Sequence, residues 1–212
     1  MKLLQELYKQ HIKKGLLEDI NKPEEEEDIW NPGTIKQEFP SDKTSLNQIP
    51  STFRTVDVLH GWKEGTVNLD IGGGRTFMVD GVDVHKFTTA LRSRNIRNLV
   101  FDPFNRTFEH NSTVSQEVKK TGADTVTVNN VLNVIADTTN RYRVIKQAYA
   151  ALKTGPENYA YFLIYEGDKS GQGKEKGQGR YQNNMKTADY IHEIHTLFPK
   201  VFRKGNLIIA QK

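Results

Sequence analysis

The chain has 212 residues, of which 36% are hydrophobic and 26% charged, and its formal net charge is +4 at pH 7. This length suits one domain with an extension and is sufficient to bury a full core. Because the chain contains no cysteine, disulfide scaffolds, thiolate zinc sites and cysteine nucleophiles are excluded. No stretch resembles a signal peptide or a transmembrane helix. We therefore expect a soluble, cytoplasmic protein with no membrane partner.

The first 55 residues differ in character from the rest of the chain. Apolar residues at spacings of three and four over 1–20 predict an amphipathic helix, which Gly15 interrupts. Residues 21–55 are rich in proline and poor in apolar residues, which predicts an irregular arm. Within that arm, Trp30 and Phe39 are candidate anchors to the domain surface or covers for a pocket. We expect two units, the helix and arm over 1–55 and a folded domain over 56–212.

Strand and helix patterns alternate from residue 66 onward. The predicted strands are 66–71, 98–102, a β-branched run beginning at Asp124, and 159–165. The predicted helices are 84–94, 112–121 capped by Asn111 or Ser112, 138–153 capped by Asp137, and 186–197. Two short strands at 200–203 and 206–210 close the chain around a tight turn. The pattern predicts an α/β fold with a Rossmann-like doubly wound, mostly parallel sheet and a C-terminal antiparallel hairpin.

A glycine-rich turn, Asp70-Ile71-Gly72-Gly73-Gly74, follows the first predicted strand. Glycines there permit a tight turn and a close approach of a ligand to the backbone. A dinucleotide fingerprint requires a further glycine where this chain has Phe77, which disfavours an NAD site. Asp70 instead suits the ammonium group of an amino-acid moiety whose carboxylate faces the glycine amides. The structural alternative is a plain strand-to-helix turn with glycines for packing.

Polar residues also end the next two predicted strands. Asp102 is placed to accept hydrogen bonds from ribose hydroxyls, and Pro103 and Phe104 offer an apolar surface for an adenine ring. Asn129 and Asn130 are placed to bind a cofactor or to orient a second substrate. The structural alternatives are an Asp-Pro turn with Phe104 in the core, and asparagines that simply favour turns. Because ligands bind at the carboxyl ends of parallel strands, the coincidence of three such sites predicts one binding site.

The segments DIGGG, FDPFN and VNNVLNVI, with the terminal RKGNLIIA hairpin, resemble the class I S-adenosylmethionine-dependent methyltransferases, especially small members from phage and bacterial genomes. The resemblance covers about residues 60–212 and implies S-adenosylmethionine as the cofactor. It also implies that the first motif surrounds the methionine part, that the acid ending the second strand binds ribose, and that the adenine pocket follows. By this resemblance the cofactor-binding residues are Asp70, Gly72, Gly73, Gly74, Asp102, Pro103, Phe104, Asn129 and Asn130.

The sequence departs from the pattern of that family in three places. About 27 residues separate Gly74 from Asp102, against a usual spacing of about 20, so residues 75–83 are expected to be an inserted loop over the site. The third strand of the family is hard to find between 103 and 123. The third segment lacks the Asp/Asn-Pro-Pro-aromatic pattern of DNA amino-methylating enzymes, which puts that acceptor class in doubt.

The sequence does not identify a catalytic residue. A general base is needed only where the methyl acceptor must lose a proton. The candidate bases are His60, His85, His110, His192 and His195. The spacing of His192 and His195 superficially suggests a metal pair, but no third ligand is identifiable, so we expect a solvated helix face and no metal site.

The loop over 167–184 is rich in glycine and carries Lys169, Lys174, Lys176 and Arg180. Its cations suit phosphates and Tyr181 suits stacking on a base, which together favour a nucleic-acid or nucleotide acceptor. The alternative is an ordinary surface loop. Two rival classes of function stay open. One is an NAD-dependent oxidoreductase, and the other is a non-catalytic protein that binds S-adenosylmethionine or a nucleoside, or docks to a host protein.

Overall fold

The computed structural model describes residues 28–34 and 47–212. Over these ranges the strands are β1 Val67–Ile71, β2 Phe77–Val79, β3 Val82–Val84, β4 Arg97–Phe101, β5 Thr125–Asn129, β6 Tyr159–Leu163, β7 Lys174–Glu175, β8 Tyr181–Gln182, β9 Lys200–Lys204 and β10 Leu207–Gln211. The α-helices are α1 Thr52–Leu59, α2 Lys86–Arg92, α3 Phe108–Thr121, α4 Thr138–Ala151 and α5 Tyr190–His195. Short 3-10 turns occur at Pro32–Thr34, Leu132–Val134 and Thr187–Asp189.

Six strands form the central sheet in the order β4-β1-β5-β6-β10-β9. The first four are parallel, and β10 runs antiparallel to both of its neighbours, β6 and β9. Ile71 pairs with Phe101 on one side and with Val128 on the other, so β1, β4 and β5 end at the same edge of the sheet. The predicted α/β fold, with its mostly parallel sheet and C-terminal antiparallel hairpin, is confirmed.

The two faces of β1 differ in polarity because side chains alternate along a strand. Leu69 and Ile71 face the main apolar core, which contains residues from α3, α4 and α5. Asn68 and Asp70 face the opposite side and are almost fully buried. They bind Thr127 of β5 through its hydroxyl group. A buried polar layer therefore runs along one side of the sheet and ends at the turn that follows β1.

The structure corrects the predicted start of α3. The helix begins at Phe108, and the hydroxyl of Thr107 caps it by accepting from the backbone amide of His110. Asn111, one of the two predicted caps, is instead buried and exchanges hydrogen bonds with the backbone of Asp102. By contrast, Asp137 caps α4 as predicted, through bonds from the amides that follow it.

The described part of the arm is packed on the domain. Trp30 is buried in the main core and meets Phe101 edge-on at a ring-centroid distance of 5.3 Å. The amide of Gln147 donates to the carbonyl of Ile29. Of the two roles predicted for Trp30, anchoring the arm and covering a pocket, the structure shows the first. Phe39 and the helix predicted over 1–20 lie outside the described residues. Where the structure describes the chain, no helix is both long and apolar enough to cross a membrane.

Candidate functional site

A cleft of about 730 Å³ lies at the carboxyl ends of β1, β4 and β5. It takes in every residue that the sequence predicted to bind a cofactor. The lining includes Asp70, Gly72, Gly73, Gly74, Asp102, Pro103, Phe104, Asn129 and Asn130. In the sequence these residues follow three separate strands, and the parallel register of those strands brings them together.

The turn after β1 has room only for glycine. Gly72 and Gly74 have φ angles of 68° and 83°, in the left-handed region that favours glycine. A Cβ atom on Gly72 would lie 2.5 Å from the Cγ2 atom of Val131, and one on Gly73 would lie 2.4 Å from the Oδ2 atom of Asp70. The glycines therefore let the turn pack against its neighbours and keep backbone at the cleft surface.

Asp102 joins the turn after β1 to the loop after β4 at the wall of the cleft. Its Oδ2 atom accepts from the backbone amide of Gly74 at 2.8 Å. Its Oδ1 atom accepts from the backbone amides of Phe104 and Asn105, both at 3.0 Å. The side-chain amide of Asn105 also lies 3.1 Å from both carboxylate oxygens. Asp102 therefore forms the Asp-Pro turn that was one interpretation of the sequence, while Phe104 lines the cleft instead of entering the core.

Of the two carboxylate oxygens of Asp70, one accepts hydrogen bonds from the described residues and the other accepts none. Its Oδ1 atom accepts from the Thr127 hydroxyl at 2.9 Å and from the Asn129 side-chain amide at 3.1 Å. Within the described residues, no donor reaches Oδ2. Burial raises the pKa of Asp70 to about 7, although both hydrogen bonds oppose that shift. A positively charged group in the cleft would satisfy Oδ2 and favour the ionised form.

The two asparagines after β5 have different roles. The Asn129 side chain donates to Asp70 and accepts from the hydroxyl of Thr52, the first residue of α1, at 2.6 Å. Asn130 has a φ of 56°, a backbone conformation that asparagine tolerates better than most residues. Asn129 therefore orients the Asp70 carboxylate, and Asn130 shapes the turn that leads away from the sheet.

Of the histidines considered as bases, only His85 lines the cleft. Its Nε2 atom lies 2.7 Å from the carbonyl of Gly73, and its Nδ1 atom accepts from the backbone amide of Thr88. Nε2 must therefore donate, which fixes the neutral tautomer. Burial lowers the pKa of His85, so the ring stays neutral. His85 holds the glycine turn against the start of α2.

The predicted insertion at 75–83 is present but does not cover the cleft. It forms the hairpin β2–β3, whose strands pair Phe77 with Val84. Residues of this hairpin line a separate cavity of about 320 Å³ beside α2. The prediction of a loop over the site is therefore wrong, because the strand pairing folds the insertion back on itself and away from the cleft.

Three further parts of the chain also line the cleft, and only one of them carried a signal in the sequence. The end of the arm contributes Gln48, Pro50 and Ser51. Helix α4 contributes Arg143. The third part is the predicted loop over 167–184, which contributes Lys176, Arg180, Tyr181 and Gln182. No motif marked the arm residues, because they reach the cleft only through tertiary contacts.

The aromatic residue exposed beside that loop is not the predicted one. Tyr181 is half-buried, with its hydroxyl group packed against the backbone of Gly173. Tyr165, just beyond the end of β6, also lines the cleft and is 61% exposed. The sequence does not mark Tyr165 for stacking, because the apolar run over 159–165 predicts that this residue belongs to the strand, whereas β6 ends at Leu163.

The histidine pair on α5 is exposed at both positions, His192 and His195. Glu193 between them turns inward and pairs with the buried Arg141 at 2.7 Å. Across the ranges that the structure describes, no three acidic or histidine side chains converge in the way a metal site requires.

The comparisons with known proteins do not identify a family. No protein-family model matches the chain, and a search of curated proteins finds no significant match to it.

Proposed function

We propose that this chain binds S-adenosylmethionine in the cleft and transfers its methyl group to a second substrate. The observation that carries the proposal is the meeting of Asp70, the glycine turn and Asp102 around one cavity. A volume of about 730 Å³ suits a nucleoside cofactor together with part of a second substrate. The terminal antiparallel hairpin of the sheet, which belongs to the sequence resemblance, supports the same proposal.

The chemistry of the lining matches the three parts of the cofactor. The Oδ2 atom of Asp70 suits the ammonium group of the methionine part. The amides of Gly72 and Gly74 already donate to Phe101 and Asp102, so the Gly73 amide is the one of the three that suits the carboxylate. Asp102 suits the ribose hydroxyls, which would share its oxygens with the backbone amides of Gly74, Phe104 and Asn105 and with the Asn105 side chain. Pro103 and Phe104 provide the apolar surface for the adenine ring.

When bound, S-adenosylmethionine supplies a methyl group already activated by the positive charge on sulfur. On transfer of that methyl group to the acceptor, the leaving group would be a neutral thioether. The residues of the chain then act chiefly by holding two reactants in line, an effect worth up to roughly 7–11 kcal/mol. His85 does not serve as a base in this account, because both ring nitrogens are already engaged.

The two rival functions are separated by different observations. In an NAD site of the Rossmann type, the glycine turn leads directly into a helix that holds the pyrophosphate. Here Phe77 stands in the strand β2, and the helix begins only at Lys86. A non-catalytic binding protein would use the same residues as a methyltransferase, so only an assay of methyl transfer separates those two.

Calorimetric titration tests the proposal. The ligands are S-adenosylmethionine, S-adenosylhomocysteine and NAD, and the proteins are the wild type, Asp70→Asn and the control Asp83→Asn. Asn at position 70 retains the Oδ1 acceptor but removes the charge, and Asp83 is an exposed carboxylate that does not line the cleft. We expect micromolar binding of the first two ligands, weakened at least tenfold by Asp70→Asn and unchanged by Asp83→Asn. Preference for NAD, or no binding, would overturn the proposal.

A further inference from the structure

Two linked side-chain amides, those of Gln182 and Asn133, leave the buried Oδ1 atom of Asn133 without a hydrogen-bond donor among the described residues. The Nε2 atom of Gln182 donates to the backbone carbonyl of Tyr165 at 2.9 Å, and the Nδ2 atom of Asn133 donates to the Oε1 atom of Gln182 at 3.1 Å. Because a backbone carbonyl can only accept a hydrogen bond, these two hydrogen bonds fix the orientation of both side-chain amides. Asn133 is 2% exposed, and its Oδ1 atom has no donor among the described residues.

An unpaired buried acceptor is costly, so this oxygen gains from any donor that reaches it. The Oδ1 atom is closed to solvent, but Asn133 lines the cleft, so a small movement of its side chain would open that atom to an N–H group of a bound molecule. Its partner Gln182 lies on β8 and is itself buried. The cleft therefore favours a ligand that carries an N–H donor at this position.

The cations of the loop over 167–184 fall into two groups. Lys169 and Lys174 each pair with a neighbouring carboxylate at 3.0 Å. Lys176 and Arg180 line the cleft, and no carboxylate in the described ranges pairs with either of them. The guanidinium of Arg180 donates to two backbone carbonyls of its own loop, those of Gly177 and Lys176. Two cations without acidic partners at a cleft wall suit a phosphate group.

These features lie at the opposite end of the cleft from the predicted cofactor contacts. Asp70 and Asp102 follow β1 and β4, whereas Tyr165 follows β6, two or three places further along the sheet. The exposed ring of Tyr165 offers a face on which a base can stack. The cleft thus has an acidic end and a basic, aromatic end.

We propose that the methyl acceptor is a nucleotide held at the basic end of this cleft. Its base stacks on Tyr165 and donates an N–H to the Oδ1 atom of Asn133, and its phosphate binds Lys176 and Arg180. Describing this nucleotide as the acceptor rests on the proposed function, whereas its binding does not. A free nucleotide and a residue of single-stranded nucleic acid present the same chemistry.

The test is a set of equilibrium titrations on the full chain. The probes are nucleoside monophosphates, the matching nucleosides, ribose 5-phosphate and single-stranded hexanucleotides. The test variant is the double substitution Lys176→Gln and Arg180→Gln. Its matched control is Lys169→Gln and Lys174→Gln, which removes two positive charges from the same loop. Each variant is also titrated with S-adenosylmethionine.

We expect the nucleotides to bind at least tenfold more weakly to the test variant and within twofold of the wild type to the control. The nucleosides should bind both variants equally. Tighter binding of hexanucleotides than of monophosphates would identify nucleic acid as the source, and the reverse a free nucleotide. Equal weakening in both variants, or no nucleotide binding by the wild type, would overturn the proposal.

A further variant, Tyr165→Ala, tests the role of the base. It removes the ring but retains the backbone carbonyl to which Gln182 donates. We expect nucleotides to bind at least fivefold more weakly while ribose 5-phosphate is unaffected. Equal binding of nucleotide and ribose 5-phosphate by the wild type would show a simple phosphate site and overturn the proposal. The S-adenosylmethionine titrations separate the two failures, since their failure would overturn the proposed function alone.

Discussion

Asp70 links the protonation state of the cleft to the stability of the fold. Burial raises its pKa to about 7, against an ordinary value of 3.8. The folded chain therefore retains this proton to a higher pH than the unfolded chain does. The contribution of this proton to the free energy of unfolding is therefore fully present below about pH 4 and is lost as the pH rises through about 7. The total loss is roughly 4 kcal/mol.

Replacement of Asp70 by Asn should remove this pH dependence. The amide stays neutral and retains the acceptor for Thr127 and Asn129, so the variant should gain stability relative to the wild type as the pH rises. We expect the difference in free energy of unfolding to grow by a few kcal/mol between pH 4 and pH 8. Urea unfolding over that range measures it, with Asp83→Asn as the control. A difference that stays constant with pH would contradict the assignment.

A cofactor with an ammonium group should bind better where Asp70 is ionised. The same carboxylate that destabilises the fold above pH 7 then contributes to binding. This cost in stability at a buried acid is the kind that functional sites tolerate.

The turn after β1 packs against the turn after β5 through Gly72 and Val131. Gly72 and Gly65 have similar φ angles of 68° and 74°, but a Cβ on Gly65 would meet no atom within 4 Å, whereas one on Gly72 would overlap Val131. The two glycines therefore form a matched pair that separates the cost of backbone conformation from the cost of the contact.

We expect Gly65→Ala to lower the free energy of unfolding by roughly 1–2 kcal/mol, the cost of a left-handed residue. Gly72→Ala should lower it by roughly 1–3 kcal/mol more, because the two turns must move apart. It should also weaken S-adenosylmethionine binding. Thermal unfolding and calorimetry measure both effects. Equal destabilisation by the two substitutions would show that the turns do not depend on this contact.

Most elements could be predicted because their signals are local. The β-branched run of β5, the apolar run of β6, the cap at Asp137 and the turn of the final hairpin each depend on neighbours in sequence. Glycines and acids at strand ends indicated the site for the same reason. Parallel register then carried those residues into one cleft.

Features set by distant contacts could not be predicted in this way. Asn111 resembles a helix cap in sequence, but its side chain is used by the backbone of Asp102. The end of the arm reaches the cleft because Asn47 accepts from the amide of Lys86 at 2.8 Å and donates to the carbonyl of Val84 at 2.7 Å. These hydrogen bonds join residues almost forty positions apart, and no periodic pattern in the sequence predicts them.

At the scale of the whole molecule, the sheet separates two environments. One face is apolar and carries the core, together with Trp30 of the arm. The other carries the polar layer of Asn68, Asp70 and Thr127, which leads to the cleft, together with two smaller apolar clusters that contain Tyr161 and Phe87. The carboxyl ends of the parallel strands thus supply acids at one end of the cleft, and the loop after β6 supplies cations at the other.

The most direct test is a crystal structure of the chain with S-adenosylhomocysteine. We expect the amino group of the ligand to lie within hydrogen-bonding distance of Asp70 Oδ2, with its ribose at Asp102 and its adenine against Phe104. The basic end of the cleft beside Tyr165 should remain accessible to a second substrate. A ligand bound outside the cleft, or one whose adenine occupies the Tyr165 end without contacting Asp70, would contradict the proposed cofactor site.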